Sequence, residues 1–328
     1  MGSKENFCYY PFFQMLLEPT GKIHPCCWNQ KYFLGDIASK SLEEIWNDKP
    51  MQELRQEFLS GKPKSCQSQM KHLRCHLSSL RDFTDNLPTE IVQKISPLRL
   101  DLRLNGQCNL ECVMCEVWKQ PNGTYTEDNF WSYGRETLFP FLKEIILLGG
   151  EPFIQKDTFR LVREVSELNA DCNWSFVTNG HYLLNDKLRG ALDSIKIRAV
   201  QLSLDSLDAK TYAQIRKRGE LKKPLATLQK WIEYNSERRT QNREFQLIIS
   251  MAVQKSNFHE IENFLKFGRM LSIGISFQFV EEPLSQSLLS LASDQKLRIL
   301  DQLLTLQDQM KATELHAIIS PLQNSKSS

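Results

Sequence analysis

The chain has 328 residues, with Lys plus Arg at 41, Asp plus Glu at 39 and a formal net charge of +2. Hydrophobic residues make up 41% and charged residues 24%, which excludes a largely disordered chain, a collagen-like repeat and a disulfide mini-scaffold. At roughly 150 residues per domain the length suggests about two domains, and the near-neutral balance makes no electrostatic case for a nucleic-acid or membrane partner.

The cysteines, nine in all, need an explanation. They are Cys8, Cys26, Cys27, Cys66, Cys75, Cys108, Cys112, Cys115 and Cys172. The opening Met-Gly-Ser-Lys-Glu-Asn has no apolar run of the signal-peptide type. No stretch approaches the roughly 18 apolar residues of a membrane span. A cytoplasmic protein is expected, in which thiols stay reduced. An odd number of cysteines at short spacings then points to metal ligation rather than disulfides.

Residues 1–93 hold five of the cysteines and short elements. Gly21-Lys22 reads as a hairpin turn between Gln14–Leu17 and Ile23–Cys26. Ser41-Leu42-Glu43-Glu44 fits a capping box, in which hydroxyl and carboxylate satisfy free helical N–H groups. The helix that follows is interrupted near Pro50, carries Leu54 and Phe58 on one face, and stops at Gly61-Lys62-Pro63.

Residues 94–290 alternate strand and helix. Strands are expected at Leu98–Leu104, Glu144–Leu148, Trp174–Thr178, Val200–Leu204, Phe245–Val253 and Ile273–Val280. Helices are expected at Thr158–Leu168, Lys187–Ile195, Leu225–Asn235 and Glu260–Leu271. Strands joined by helical crossovers imply an α/β fold with a parallel sheet. About 190 residues falls short of the roughly 250 of a closed eight-fold barrel, so an open partial (β/α)6 barrel fits better. Residues 291–328 read as a helix from Ser293 to His316 and a polar, frayed tail from Gln323.

The sharpest motif follows the first of these strands: Cys108-Asn109-Leu110-Glu111-Cys112-Val113-Met114-Cys115, a C-x3-C-x2-C spacing. A structural zinc site wants four protein ligands, and a cubane iron–sulfur cluster normally takes four thiolates. Three thiolates leave one position for a ligand from outside the protein. The loop also lies at a C-terminal strand end, where such sheets bind ligands. A structural zinc knuckle is the competing reading.

This triplet resembles the signature of the radical S-adenosylmethionine (SAM) superfamily. The resemblance implies that Cys108, Cys112 and Cys115 hold a [4Fe–4S] cluster to which SAM binds. Met114 stands where the family often has an aromatic residue. Further matches fall at strand ends. Gly149-Gly150-Glu151 resembles the segment that meets the amino group of SAM. Val177-Thr178-Asn179-Gly180 resembles the third strand end, with Thr178 and Asn179 as SAM contacts; an ordinary Asn-Gly turn is the alternative. Ser203 and Asp205, two apart and so on one strand face, resemble the residues that touch SAM's ribose or carboxylate. Arg216 resembles an arginine that pairs with the SAM carboxylate, a charge-assisted contact; the alternative is a solvated helical arginine beside Lys217 and Arg218.

A second resemblance covers residues 6–66. Asn6–Pro11, Gly21–Trp28, Leu34–Ile37, Ser41–Trp46, Leu54-Arg55, Gly61 and Cys66 follow the order of auxiliary-cluster modules called SPASM or twitch domains, here placed before the barrel. Such modules commonly end in C-x2-C, whereas Gln69 stands where the last thiolate should be. Cys75 is the expected substitute, with His72 and His76 nearby. The resemblance implies an auxiliary iron–sulfur cluster on Cys8, Cys26, Cys66 and Cys75, with Cys27 able to replace Cys26. Cys172 reads as a buried small hydrophobe.

Together the two resemblances imply reductive cleavage of SAM to a 5′-deoxyadenosyl radical that abstracts substrate hydrogen. They imply a peptide or protein substrate and an external electron donor such as flavodoxin or ferredoxin. Oxidation or epimerisation of a carbohydrate or other small molecule is a second reading. A non-catalytic iron–sulfur or zinc protein is a third. No basic, aromatic-rich module suggests nucleic acid.

Overall fold

The computed structural model describes residues 7–66 and 87–325. Cys75, Gln69, His72 and His76 lie outside the described residues. In chain order the elements are α1 (Tyr10–Phe13), β1 (Gln14–Leu17), β2 (Lys22–His24), β3 (Gly35–Asp36), α2 (Leu42–Trp46), α3 (Lys49–Leu59), β4 (Arg99–Leu102) and β5 (Glu111–Cys112). Then come β6 (Glu144–Leu147), α4 (Lys156–Leu168), β7 (Asn173–Thr178), α5 (Asp186–Asp193), β8 (Lys196–Ser203), α6 (Ala209–Ile215), β9 (Arg216–Lys217) and α7 (Lys222–Arg239). The last are β10 (Gln246–Val253), α8 (Ile261–Met270), β11 (Gly274–Phe279), α9 (Ser293–Met310) and α10 (His316–Asn324). The fold is α/β with a largely parallel sheet, as expected. Each of the six expected strands and four expected crossover helices is present.

Two compact units are formed. The first takes the described residues of 1–107, 119–176 and 186–197; the second takes 108–118, 177–185 and 198–325.

In the first unit the strands run in the order β3-β2-β1-β4-β6-β7. Strands β1, β4, β6 and β7 pair in parallel, while β2 adds antiparallel to β1 and β3 antiparallel to β2. That β1 extends the parallel sheet was not legible in the sequence, because its four residues form part of a predicted hairpin. Register places Met15, Leu100, Ile145 and Trp174 in one row, all fully buried. At about 1.5–3 kcal/mol per fully buried large apolar side chain, rows of this kind supply the drive for the sheet. The alternate rows bring charge inside: Arg99 pairs with Glu144 at 3.4 Å, and Asp101 is buried in the next such row between Leu16 and Ile146.

The N-terminal elements follow the sequence signals closely. Ser41 Oγ accepts from Glu44 N at 3.2 Å and the Glu44 carboxylate accepts from Ser41 N at 2.8 Å, the expected capping box. Pro50 opens α3, so the single interrupted helix is two helices. Arg55 is fully buried and ties the segment together: it donates to the carbonyl oxygens of Pro11, Trp46 and Ile91, each at 2.8 Å. Its guanidinium also stacks over the Trp46 ring at 4.3 Å.

In the second unit β8, β10 and β11 form a parallel sheet in the order β11-β10-β8. Helix α8 lies close against one face. A Cβ at Gly268 would meet the Ile275 side chain at 2.4 Å, so only glycine permits that approach. The opposite face aligns Ser203, Ser250 and Ser276 in one row. Two further strands, β5 and β9, pair Cys112 with Arg216. The C-terminal segment differs from expectation. Helix α9 ends at Lys311, which takes a left-handed conformation (φ 49°), and a second helix, α10, runs to Asn324. Ile318, Ile319 and Leu322 are buried, in the stretch between the expected helix end at His316 and the expected tail at Gln323.

Among the described residues no helix is long and apolar enough to cross a membrane.

Candidate cofactor site

The cysteine triplet belongs to the second unit. Cys108 opens an irregular loop, Cys112 lies on β5, and Cys115 follows in a turn in which its N–H donates to Cys112 O at 3.1 Å. The pairing of β5 with β9 clamps the loop, and Val113 N donates to Ile215 O at 2.9 Å. Burial pushes the Cys112 thiol up to about 11; Arg216 opposes this, while Asp205, Cys115 and Cys108 add to it. That mutual repulsion is what three thiolates around one cationic group would relieve, because ligation requires the deprotonated form.

The thiols are also met by N–H groups. Asn179 Nδ2 lies 3.6 Å and Leu110 N 3.5 Å from Cys108 Sγ, and Arg216 Nη1 lies 3.8 Å from Cys112 Sγ. Such donors suit anionic sulfur. Among the described residues no three His, Cys, Asp or Glu side chains converge closely enough for a single ion. The donor set is the observation that fits an iron–sulfur cluster: three cysteine thiols in one short loop, two of them met by N–H groups.

Asp205 and Arg216 stand next to this loop. Arg216 Nη2 lies 2.8 Å from Asp205 Oδ2 with both side chains buried. Burial pushes the Asp205 carboxyl up and Arg216 pulls it back down. For the guanidinium, burial opposes the charge and Asp205, then Cys112, outweigh it. Asp205 Oδ1 accepts from Ala252 N at 2.7 Å. The expectation that Ser203 and Asp205 share a strand face does not hold, because β8 ends at Ser203 and Asp205 is left-handed (φ 57°). Strand alternation stops where the backbone leaves the extended region. Nor is Arg216 a solvated helical arginine: it begins β9 and is buried.

Asn179 sits just past β7 and is buried. Its Oδ1 accepts from His181 N at 2.7 Å and its Nδ2 donates to Asn109 Oδ1 at 2.8 Å. Asn109 Nδ2 donates in turn to His181 O at 2.6 Å. Asn109 and His181 escaped the sequence reading, although Asn109 lies inside the cysteine motif. The His181 ring stacks on Tyr212 with centroids 6.0 Å apart. Thr178 Oγ1 accepts from Gly180 N at 3.2 Å, as a tight Asn-Gly turn requires.

Gly149, Gly150 and Glu151 belong to the first unit. Both glycines have positive φ, 84° and 56°. A Cβ on Gly150 would meet Gln107 O at 2.2 Å, and one on Gly149 would meet Arg103 Cβ at 2.6 Å. Glu151 is fully buried; its N–H donates to Gln107 O at 2.9 Å and its Oε1 accepts from Phe153 N at 3.2 Å.

The N-terminal cysteines also belong to the first unit. Cys8, Cys26 and Cys66 line one small recess with Asn29, Leu54 and Phe58. Asn29 Nδ2 lies 3.6 Å from Cys66 Sγ and 3.2 Å from Ser65 O. Burial pushes the Cys66 thiol up, and the Asn29 amide lowers it. Cys26 is buried in this recess while Cys27 is exposed. Three soft donors and an amide N–H around one hollow fit an iron–sulfur group. Nothing in the spacing of Asn29 announced it. A separate cavity of ≈ 620 Å³, lined by Phe258, Ile299, Leu303 and Gln309 among others, shares no residue with these sites. Cys172 is buried in the core, and its thiol is pushed up to about 12 by burial.

Residues 103–268 match the family model of the radical SAM superfamily, and residues 8–75 match SPASM, an iron–sulfur cluster-binding domain. Among curated relatives, the GTP 3′,8-cyclase of Listeria welshimeri is 29% identical over 183 residues, 54% of this chain and 52% of the relative. The GTP 3′,8-cyclase of Clostridium botulinum is 28% identical over 196 residues, 56% of each chain. The chain thus spans about half the length of the curated relatives it matches. Among solved structures, Streptococcus suis SuiB bound to precursor peptide SuiA superposes with a TM-score of 0.50 at 16% identity, covering 90% of this chain and 69% of that one. The chain belongs to the radical SAM superfamily of enzymes, whose cofactors are a [4Fe–4S] cluster and SAM, and it carries an iron–sulfur cluster-binding SPASM domain.

Proposed function

We propose that this chain is an enzyme that cleaves SAM reductively and acts on a peptide or protein substrate. The observation that carries the reading is the loop of Cys108, Cys112 and Cys115, clamped by β5 and β9 and supplied with N–H donors. These three thiols would hold the SAM cluster, and the protein's contribution is to bind and orient the cofactors. When bound, cluster and SAM supply a 5′-deoxyadenosyl radical that takes hydrogen from the substrate. Gly149, Gly150 and Glu151 would receive the amino group of SAM, the two glycines by presenting backbone without side chains. Thr178, Asn179, Ser203, Asp205 and Arg216 are the further proposed SAM-site residues. Arg216 acts there while already paired with Asp205, so its orientation is set before a ligand arrives. Cys8, Cys26 and Cys66, with Cys75, would hold the auxiliary cluster.

The peptide reading is supported by the SPASM domain and by the likeness in fold to SuiB, a protein seen with a precursor peptide. A small-molecule substrate is the second reading, favoured by relatives named GTP 3′,8-cyclase. A cytoplasmic location and a flavodoxin or ferredoxin donor complete the proposal.

The test is anaerobic reconstitution with iron and sulfide, then dithionite and SAM. We expect 5′-deoxyadenosine from the wild type and none from Cys108→Ala. A reconstituted protein that holds a four-iron cluster yet makes none would overturn the enzyme reading. Transfer of deuterium into 5′-deoxyadenosine from labelled candidate peptides or small molecules decides between the substrates.

A further inference from the structure

Asn179 is expected from sequence to touch SAM, but its amide is directed at sulfur. Its Nδ2 lies 3.6 Å from Cys108 Sγ. The orientation of this amide follows from backbone groups that cannot change roles. His181 N–H can only donate, so the atom 2.7 Å from it must be Asn179 Oδ1. His181 O can only accept, so the atom of Asn109 at 2.6 Å must be Nδ2, which turns Asn109 Oδ1 toward Asn179. The remaining face of Asn179 is therefore N–H, held toward Cys108 by two fixed partners. Leu110 N adds a second donor to the same sulfur at 3.5 Å.

Hydrogen bonds to ligand sulfur withdraw negative charge from the metal group and stabilise its electron-rich, reduced state. Asn179 is buried, which keeps its amide from bulk water, while Cys108 is partly exposed. We propose that Asn179, locked by Asn109 and His181, is a positioning residue that raises the reduction potential of the cluster on Cys108, Cys112 and Cys115. This rests on the reading that those three thiols hold the cluster. A raised potential lets a weaker external donor reduce the cluster, and it lessens the drive for the cluster to reduce SAM in turn.

The experiment is a redox titration of the reconstituted full chain, followed by electron paramagnetic resonance. A Cys66→Ala background removes the auxiliary signal. Asn179→Leu deletes the donor without adding charge. Asn179→Asp keeps the acceptor for His181 N and replaces the donor by oxygen. Asn109→Asp adds the same charge beside Asn179 and keeps an acceptor for the Asn179 amide, while giving up the donor to His181 O. We expect a more negative midpoint potential in both Asn179 variants, with a smaller shift in Asn109→Asp. A wild-type potential in iron-replete Asn179→Leu would overturn the inference, as would equal shifts in Asn179→Asp and Asn109→Asp. Loss of iron from both Asn179 variants would overturn it too, by making Asn179 a structural requirement of the loop. A Cys66→Ala chain that takes up no four-iron cluster would instead remove the reading beneath it.

Discussion

Replacing Arg216 by leucine should separate a buried ion pair from a surface one. Asp205 is 1% exposed and its Oδ2 lies 2.8 Å from Arg216 Nη2. Removing one partner of such a pair strands the other charge and costs about 3–5 kcal/mol, whereas an exposed pair costs well under about 1 kcal/mol. With a urea slope of about 1–3 kcal/mol per molar, the unfolding midpoint of the metal-free chain should fall by roughly 1–5 M. Burial pushes the Asp205 carboxyl up, and in the variant Arg216 no longer opposes it. Its folded pKa then lies above the unfolded value of about 3.9. The folded state binds the extra proton in that window, so stability falls as pH rises through it. The loss should therefore be larger at neutral pH than at about pH 5. Adding Asp205→Asn removes the stranded charge, keeps the acceptor for Ala252 N and tolerates the left-handed backbone. The double variant should recover much of the loss. A single variant that costs less than about 1 kcal/mol, or a double variant no better than the single, would refute the argument.

Arg55→Ala should destabilise the N-terminal segment by about 3–5 kcal/mol, because three buried carbonyl oxygens lose their donor; faster limited proteolysis there is the measurement. Gly150→Ala should lower the melting temperature, since its Cβ would meet Gln107 O at 2.2 Å at a positive φ. Gly190→Ala in α5, where a Cβ meets nothing within 4 Å, should raise it slightly, by about 0.5–1 kcal/mol in stability. Burial holds the His181 pKa below 6.5. On acidification the unfolded chain takes up that proton first, so stability is present above the unfolded pKa and lost as pH falls below it. The fall between about pH 7.5 and 5.5 should be shallower in His181→Phe, read by urea denaturation.

The strands and crossover helices were legible because each carries its own period, two or 3.6 residues, and needs no distant partner to display it. The capping box at Ser41 is local in the same sense. The cysteine triplet was legible because a loop that wraps one group must keep its ligands close in sequence. The C-terminal helix α10 was not legible, since nine residues with Pro321 among them carry too short a period to declare a helix before they pack.

The sequence by itself determined the strands and crossover helices of residues 94–290, the thiol loop and the two glycines whose backbone must stay bare. Only the tertiary structure decided that β1 joins the parallel sheet, that Cys26 rather than Cys27 faces Cys8 and Cys66, and that Arg216 is committed to Asp205 and Cys112. It also placed Asn29 and Asn179 against sulfur, across separations of 37 and 71 residues. The physical reason is one of range. Backbone conformation and short ligand loops follow from neighbours in the chain, whereas a buried hydrogen bond to sulfur joins groups that only the folded chain brings together.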